Sequence, residues 1–87
     1  MRFRSGRVYV DVEWMGKFWA VELEAPVGNW SMELAPQPGY DHIPHELPSV
    51  LQSVAHNALD QAVSREPEIA CSAAQDPSGG WLIEDAS

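Results

Sequence analysis

The stretch RVYVDVEWMGKFWAVELEA, residues 7–25, alternates apolar and polar side chains on both sides of Met15-Gly16. A period of two marks a strand, because successive side chains point to opposite faces. Val8, Val10, Val12 and Trp14 then share one face of a first strand, and Trp19, Val21 and Leu23 share one face of a second. A turn centred on Met15-Gly16 sets Val12 against Trp19, Val10 against Val21 and Val8 against Leu23, with Arg7 opposite Glu24. A slip of one residue would bury Glu22 and Glu24, so the pattern fixes which face is dry. Met-Gly is not the usual Asn-Gly turn, and a longer loop also fits.

After a break at Pro26 and Gly28, Trp30, Met32 and Leu34 resume the alternation, which predicts a third strand and a meander. Residues 35–47 hold three of the seven prolines and read as a linker rather than regular structure. The run PSVLQSVAHNALDQAVSR places Val50, Leu51, Val54, Ala55, Ala58, Leu59, Ala62 and Val63 on one helical stripe. Pro48 suits the first helical turn and Arg65 the negative end of the helix dipole. Beyond Pro67, EIACSA alternates weakly as a short strand with a buried Cys71, QDPSGG is a turn, and WLIED is a last strand carrying Trp81 and Ile83 on one face. The expectation is one α+β domain over residues 1–87. It has an antiparallel sheet of four to five strands, begun by a three-stranded N-terminal meander, with one long helix packed on one face, in the order β-β-β-α-β(-β). The helix and the strands should bury the valines and leucines, with Trp19 and Trp30 near the centre.

Charge narrows the choice of partner. Residues 1–17 carry four cations against two carboxylates, a net of +2. Residues 18–87 carry only Arg65 against eleven carboxylates, a net of −10, so the chain stands at −8. Such a body repels phosphate backbones and anionic lipid, so no membrane and no direct nucleic-acid partner is expected. Arg2, Arg4 and Arg7 form the one basic cluster. The charge favours a basic protein surface, or serves solubility alone. A single cysteine excludes an internal disulfide and fits a reducing compartment. No apolar run follows the basic start and none is long enough to span a bilayer, so a cytoplasmic location is expected.

The outer face of the meander should present Asp11, Glu13, Glu22, Glu24 and Glu33 beside Tyr9 and Phe18. Carboxylates of this kind are the wet side of a half-exposed sheet, a protein-binding face, or the ligands of a metal-dependent hydrolase. The shortage of neighbouring lysines favours binding, with Tyr9, Asp11, Glu13, Phe18, Glu22 and Glu24 as the contact residues. The outer helix residues Gln52, His56, Asn57 and Asp60 are almost uncharged and form an alternative interface, either with a partner or in a homodimer, which could also pack through an edge strand. His42, His45, His56 and Cys71 match no standard zinc spacing, so no metal and no cofactor are expected. Cys71 with His56 would make a nucleophile and base only if a cation lowered the thiol pKa, and EIACSAA has none. No phosphate loop, nucleophile elbow or HEXXH motif is present, and no catalysis is expected.

The segment GKFWAVELEAP, within a strand–strand–strand–helix–strand order, resembles the second strand of HicB-type antitoxins over about a dozen residues. The chain departs from that family in having Met15 in place of an acidic residue before the glycine, and a longer link from third strand to helix. The low lysine content with abundant tryptophan and alanine is similar to proteins of GC-rich bacteria and their phages. The expected role is that of a small acidic protein that inhibits, neutralises or escorts a basic protein, as antitoxins, immunity proteins and phage inhibitors do.

Overall fold

The computed structural model describes residues 1–37 and 44–87. Its elements are β1 (Arg2–Ser5), β2 (Val8–Trp14), β3 (Trp19–Ala25), β4 (Gly28–Leu34), α1 (Pro48–Arg65), a 3₁₀ turn (Pro67–Cys71) and β5 (Glu84–Asp85). The strands form one antiparallel sheet in the order β4-β3-β2-β1-β5, and α1 packs on one face in a two-layer α+β arrangement. Of the proline-rich linker, residues 38–43 lie outside the described residues.

The sheet begins earlier than the sequence reading has it. Arg2–Ser5 is a strand because Phe3 and Ser5 alternate with Arg2 and Arg4 in the same period as β2. Phe3 is buried in the core, and the N-terminal arginines belong to the sheet rather than to a tail. Gly6 and Arg7 make the two-residue turn, with Gly6 at φ +60°, the conformation a type II′ turn asks of its first central residue. A Cβ on Gly6 would stand 2.5 Å from the carbonyl oxygen of Ser72. The Arg7 N–H donates to that same oxygen at 2.7 Å, so the turn is sealed against the segment after the helix. Ser5 is fully buried, and its hydroxyl both donates to the Ala74 carbonyl and accepts the Ala74 N–H.

β2 and β3 pair two residues away from the expected register. Val12 faces Val21, Val10 faces Leu23, and Tyr9, not Arg7, faces Glu24. The connection is the four-residue loop Met15–Phe18, closed by the Met15 N–H to the Phe18 carbonyl and by Gly16 at φ +92°. The displacement is even, so each strand side chain keeps its face. Val8, Val10, Val12, Trp19, Val21 and Leu23 are all buried. Trp30, placed on the edge strand, is half-buried instead of central.

The helix buries Leu51, Val54, Ala55, Ala58, Leu59 and Ala62, flanked by half-buried Val50 and Val63. The segment after it is a 3₁₀ turn, not a strand. Pro67 occupies the first turn, where its missing N–H costs nothing. Three residues per turn bring Ile69 and Ser72 inward together and leave Cys71 exposed, contrary to the buried cysteine expected. The chain then turns at Asp76–Gly80, where the Ser78 N–H and hydroxyl both donate to Oδ1 of Asp76 and hold that carboxyl below its ordinary pKa. The expected last strand shrinks to Glu84–Asp85, which pairs with β1 at the edge opposite β4.

Candidate functional site

Cross-strand register sets the outer face of the sheet in rows. Arg2, Asp11, Glu22 and Ser31 lie side by side, as do Arg4, Tyr9, Glu24 and Asn29, and Glu13, Ala20 and Glu33. Asp11 and Tyr9 are half-buried, whereas Glu13, Glu22, Glu24 and Glu33 are exposed. The arginines that the sequence reading assigns to a basic cluster stand on this same face. Arg2 pairs with Glu24 at 3.0 Å, and its guanidinium lies over the Tyr9 ring, 4.3 Å from the centroid. Arg4 pairs with Glu84, and the hydrogen bonds it makes to that carboxylate hold its pKa above the ordinary arginine value.

The face is therefore divided. Glu24 on β3 and Glu84 on β5 are each matched by an arginine of β1, and Tyr9 is part of that matched cluster. Asp11 and Glu13 on β2, Glu22 on β3 and Glu33 on β4 have no ion-pair partner among the described residues. Phe18 does not lie on a strand beside them. It is half-buried in the Met15–Phe18 loop, at the end of the sheet. Arg7 sits in the β1–β2 turn, away from these carboxylates.

The polar helix face has a local explanation. Gln52, His56 and Asp60 recur at four-residue intervals and form one row along α1. The Gln52 side-chain amide donates to the Ile83 carbonyl at 2.8 Å, the Trp81 backbone N–H donates to His56 Nε2 at 3.2 Å, and the Trp81 indole N–H donates to Asp60 Oδ1 at 2.5 Å. A row of amide, imidazole and carboxylate thus holds down an irregular segment whose backbone groups need partners. Of the four helix residues in the alternative interface, only Asn57 has no such bond to the C-terminal segment among the described residues.

His45 is held by aromatic packing. Its ring stacks on Trp14 with centroids 4.0 Å apart and meets the edge of Trp19, whose indole N–H donates to the His45 carbonyl. A cleft of about 610 Å³ opens beside it between the end of β4 and the first half of α1, lined by Trp19, Leu34, Val50 and Val54 with Ser53 and Asn57. Among the described residues no three His, Cys, Asp or Glu side chains converge to hold a metal ion. His42 lies outside the described residues. Among those residues, no helix is long and apolar enough to cross a membrane.

Sequence reasoning missed Arg2, Arg4 and Trp81 as members of these clusters. The signal for the arginines was present in the R-F-R-S alternation ahead of Ser-Gly-Arg. For Trp81 no local signal exists, because its partners stand 21 and 25 residues earlier in the chain. No protein family, curated protein or solved structure matches the chain, so nothing extends the resemblance to HicB-type antitoxins beyond its dozen residues.

Proposed function

We propose that the chain is a non-catalytic acidic protein that binds a basic protein partner through the outer face of its sheet, so as to inhibit, neutralise or escort it. One observation carries the reading: Asp11, Glu13, Glu22 and Glu33 crowd the outer face of β2, β3 and β4 without an ion-pair partner among the described residues, while the two arginine pairs take up only Glu24 and Glu84. Unmatched carboxylates on neighbouring strands repel one another, and a cationic surface relieves that repulsion. Charges of this kind chiefly raise the association rate and make it salt-sensitive. Tyr9, flanked by Arg2, and Phe18, at the loop end, bound the patch and supply apolar contact at its margin. The polar row of α1 is a weaker docking surface, since Gln52, His56 and Asp60 already hold the segment Trp81–Ile83.

The test is capture from lysate of the source cell on the immobilised chain and on a Glu13→Lys, Glu22→Lys, Glu33→Lys variant. A basic protein held by the parent, released by salt and absent from the variant supports the proposal. Equal capture by the variant, with loss on Asn57→Arg, moves the interface to the helix.

A further inference from the structure

We propose that the chain forms a two-fold symmetric dimer in which the open edge of β4 pairs with β4 of a second copy. The inference stands on the sheet edge and not on the carboxylate patch.

The two edges of the sheet differ. β5 is two residues long, a blunted edge. β4 is seven residues long, pairs with β3 without a bulge, and contains no proline and no lysine. Short length, proline, lysine and bulges are among the means by which monomers protect an edge, and β4, whose one charged residue is Glu33, has none of these four.

The direction of the β4 backbone groups follows from alternation through the sheet. Val12 and Met1 exchange both backbone bonds. In an antiparallel ladder bonded pairs alternate with unbonded ones, so Val8, Val10 and Val12 bond to β1 while Tyr9, Asp11 and Glu13 bond to β3. Carried one strand further, Trp30, Met32 and Leu34 bond back to β3. Asn29, Ser31 and Glu33 are left with N–H and C=O groups that pair with no strand among the described residues, and all three are exposed.

These residues are complementary to themselves. An axis through Ser31 sets Ser31 against the second copy's Ser31 and Glu33 against the second copy's Asn29, so each of the three can exchange both backbone bonds. On the inner face, Trp30 meets Met32 of the second copy, a favourable sulfur–aromatic contact between two half-buried side chains. No like charges oppose each other. The two Glu33 residues fall about 14 Å apart at strand spacing, beyond the screening length at moderate salt. A register displaced by two residues loses the Trp–Met pairing, and one displaced by a single residue would put the inner face of one copy against the outer face of the other.

Each copy carries a net −8, so the dimer works against long-range repulsion and should strengthen as salt rises. Binding of a basic partner should weaken as salt rises, so the failure of one proposal is distinguishable from the failure of the other. The experiment is sedimentation velocity of the full chain from micromolar to millimolar concentration, at low and high salt. The expected result is a mass that moves from one copy to two, with severalfold tighter association at high salt. Asn29→Glu should weaken the dimer by about an order of magnitude, because symmetry counts each new like-charge pair twice, and Asn29→Lys should tighten it. Ser31→Pro should abolish it while leaving the far-UV circular dichroism unchanged, since that N–H faces the open edge. A mass of one copy throughout overturns the proposal, whether the edge is idle or takes a foreign strand. So does a dimer indifferent to both Asn29 changes.

Discussion

The indole N–H of Trp81 donates to Oδ1 of Asp60, 2.5 Å away, across 21 positions of sequence. The same tryptophan gives its backbone N–H to Nε2 of His56, one helical turn earlier. An imidazole that accepts at Nε2 carries its proton on Nδ1, which here points toward the second carboxylate oxygen of Asp60 at 3.9 Å. Trp81 is buried, so its ring packs on the core while its polar edge is satisfied by the helix.

Removal of that acceptor should be felt. Asp60→Ala leaves a buried indole N–H without a partner, which costs about 1–3 kcal/mol. Trp81→Phe removes the donor instead, and the Asp60 carboxylate, largely exposed, returns to water. The double variant should therefore cost less than the sum of the two single changes. Urea unfolding followed by far-UV circular dichroism measures all three. A cost for Asp60→Ala below ~0.5 kcal/mol would mean that the bond adds nothing to stability.

The parts of the fold legible in the sequence are those written in local periodicity. Val8 to Leu23 and Val50 to Val63 declare their faces through spacings of two and of three to four, and those faces are the buried ones. The β2–β3 register was less legible, since parity survives a two-residue displacement and only the loop length decides between the options. β1 was obscured because Arg2 and Arg4 draw attention as charge while Phe3 alone supplies the apolar signal. The 3₁₀ turn has a short period that a few residues of weak apolar character cannot distinguish from a strand. The carboxylates of the candidate site could be assigned to the outer face from alternation. Which of them lack a cation could not, because Arg2 reaches Glu24 and Arg4 reaches Glu84 only once the strands have paired.

Gly6 and Gly16 both adopt positive φ, yet substitution should separate them. Gly16 stands in an open loop, where an added Cβ would meet nothing within 4 Å, so Gly16→Ala costs only its backbone conformation, about 1–2 kcal/mol. Gly6→Ala incurs a similar conformational cost and also drives a methyl group against the Ser72 carbonyl, the acceptor of the Arg7 N–H. Backbone on both sides leaves no flexible side chain to yield. Gly6→Ala should therefore be the more destabilising change in chemical denaturation, and equal costs would show that the seal between the β1–β2 turn and Ser72 is loose.

Phe3 decides whether the N-terminal strand belongs to the core. It lies opposite Val10 in β1–β2 and opposite Asp85 in β1–β5, and only 2% of its surface is exposed. Truncation at a fully packed aromatic site removes the transfer free energy of the ring and leaves a cavity, so Phe3→Ala should cost about 3–5 kcal/mol. Leu59→Ala, at the buried centre of the helix stripe, should cost about 2–5 kcal/mol by the same mechanism. Either loss is a large fraction of the stability of a small domain. A solvated N-terminal arm would instead respond within ~0.5 kcal/mol, as surface positions do. Hydrogen exchange adds a second measure. The Phe3 amide, paired with Val10, should exchange as slowly as the amides of β2 and β3, whereas in a frayed arm it would exchange at once. Fast exchange at Phe3 together with a small cost for Phe3→Ala would remove β1 from the sheet. It would also free Arg2 and Arg4 from the carboxylates they now cover.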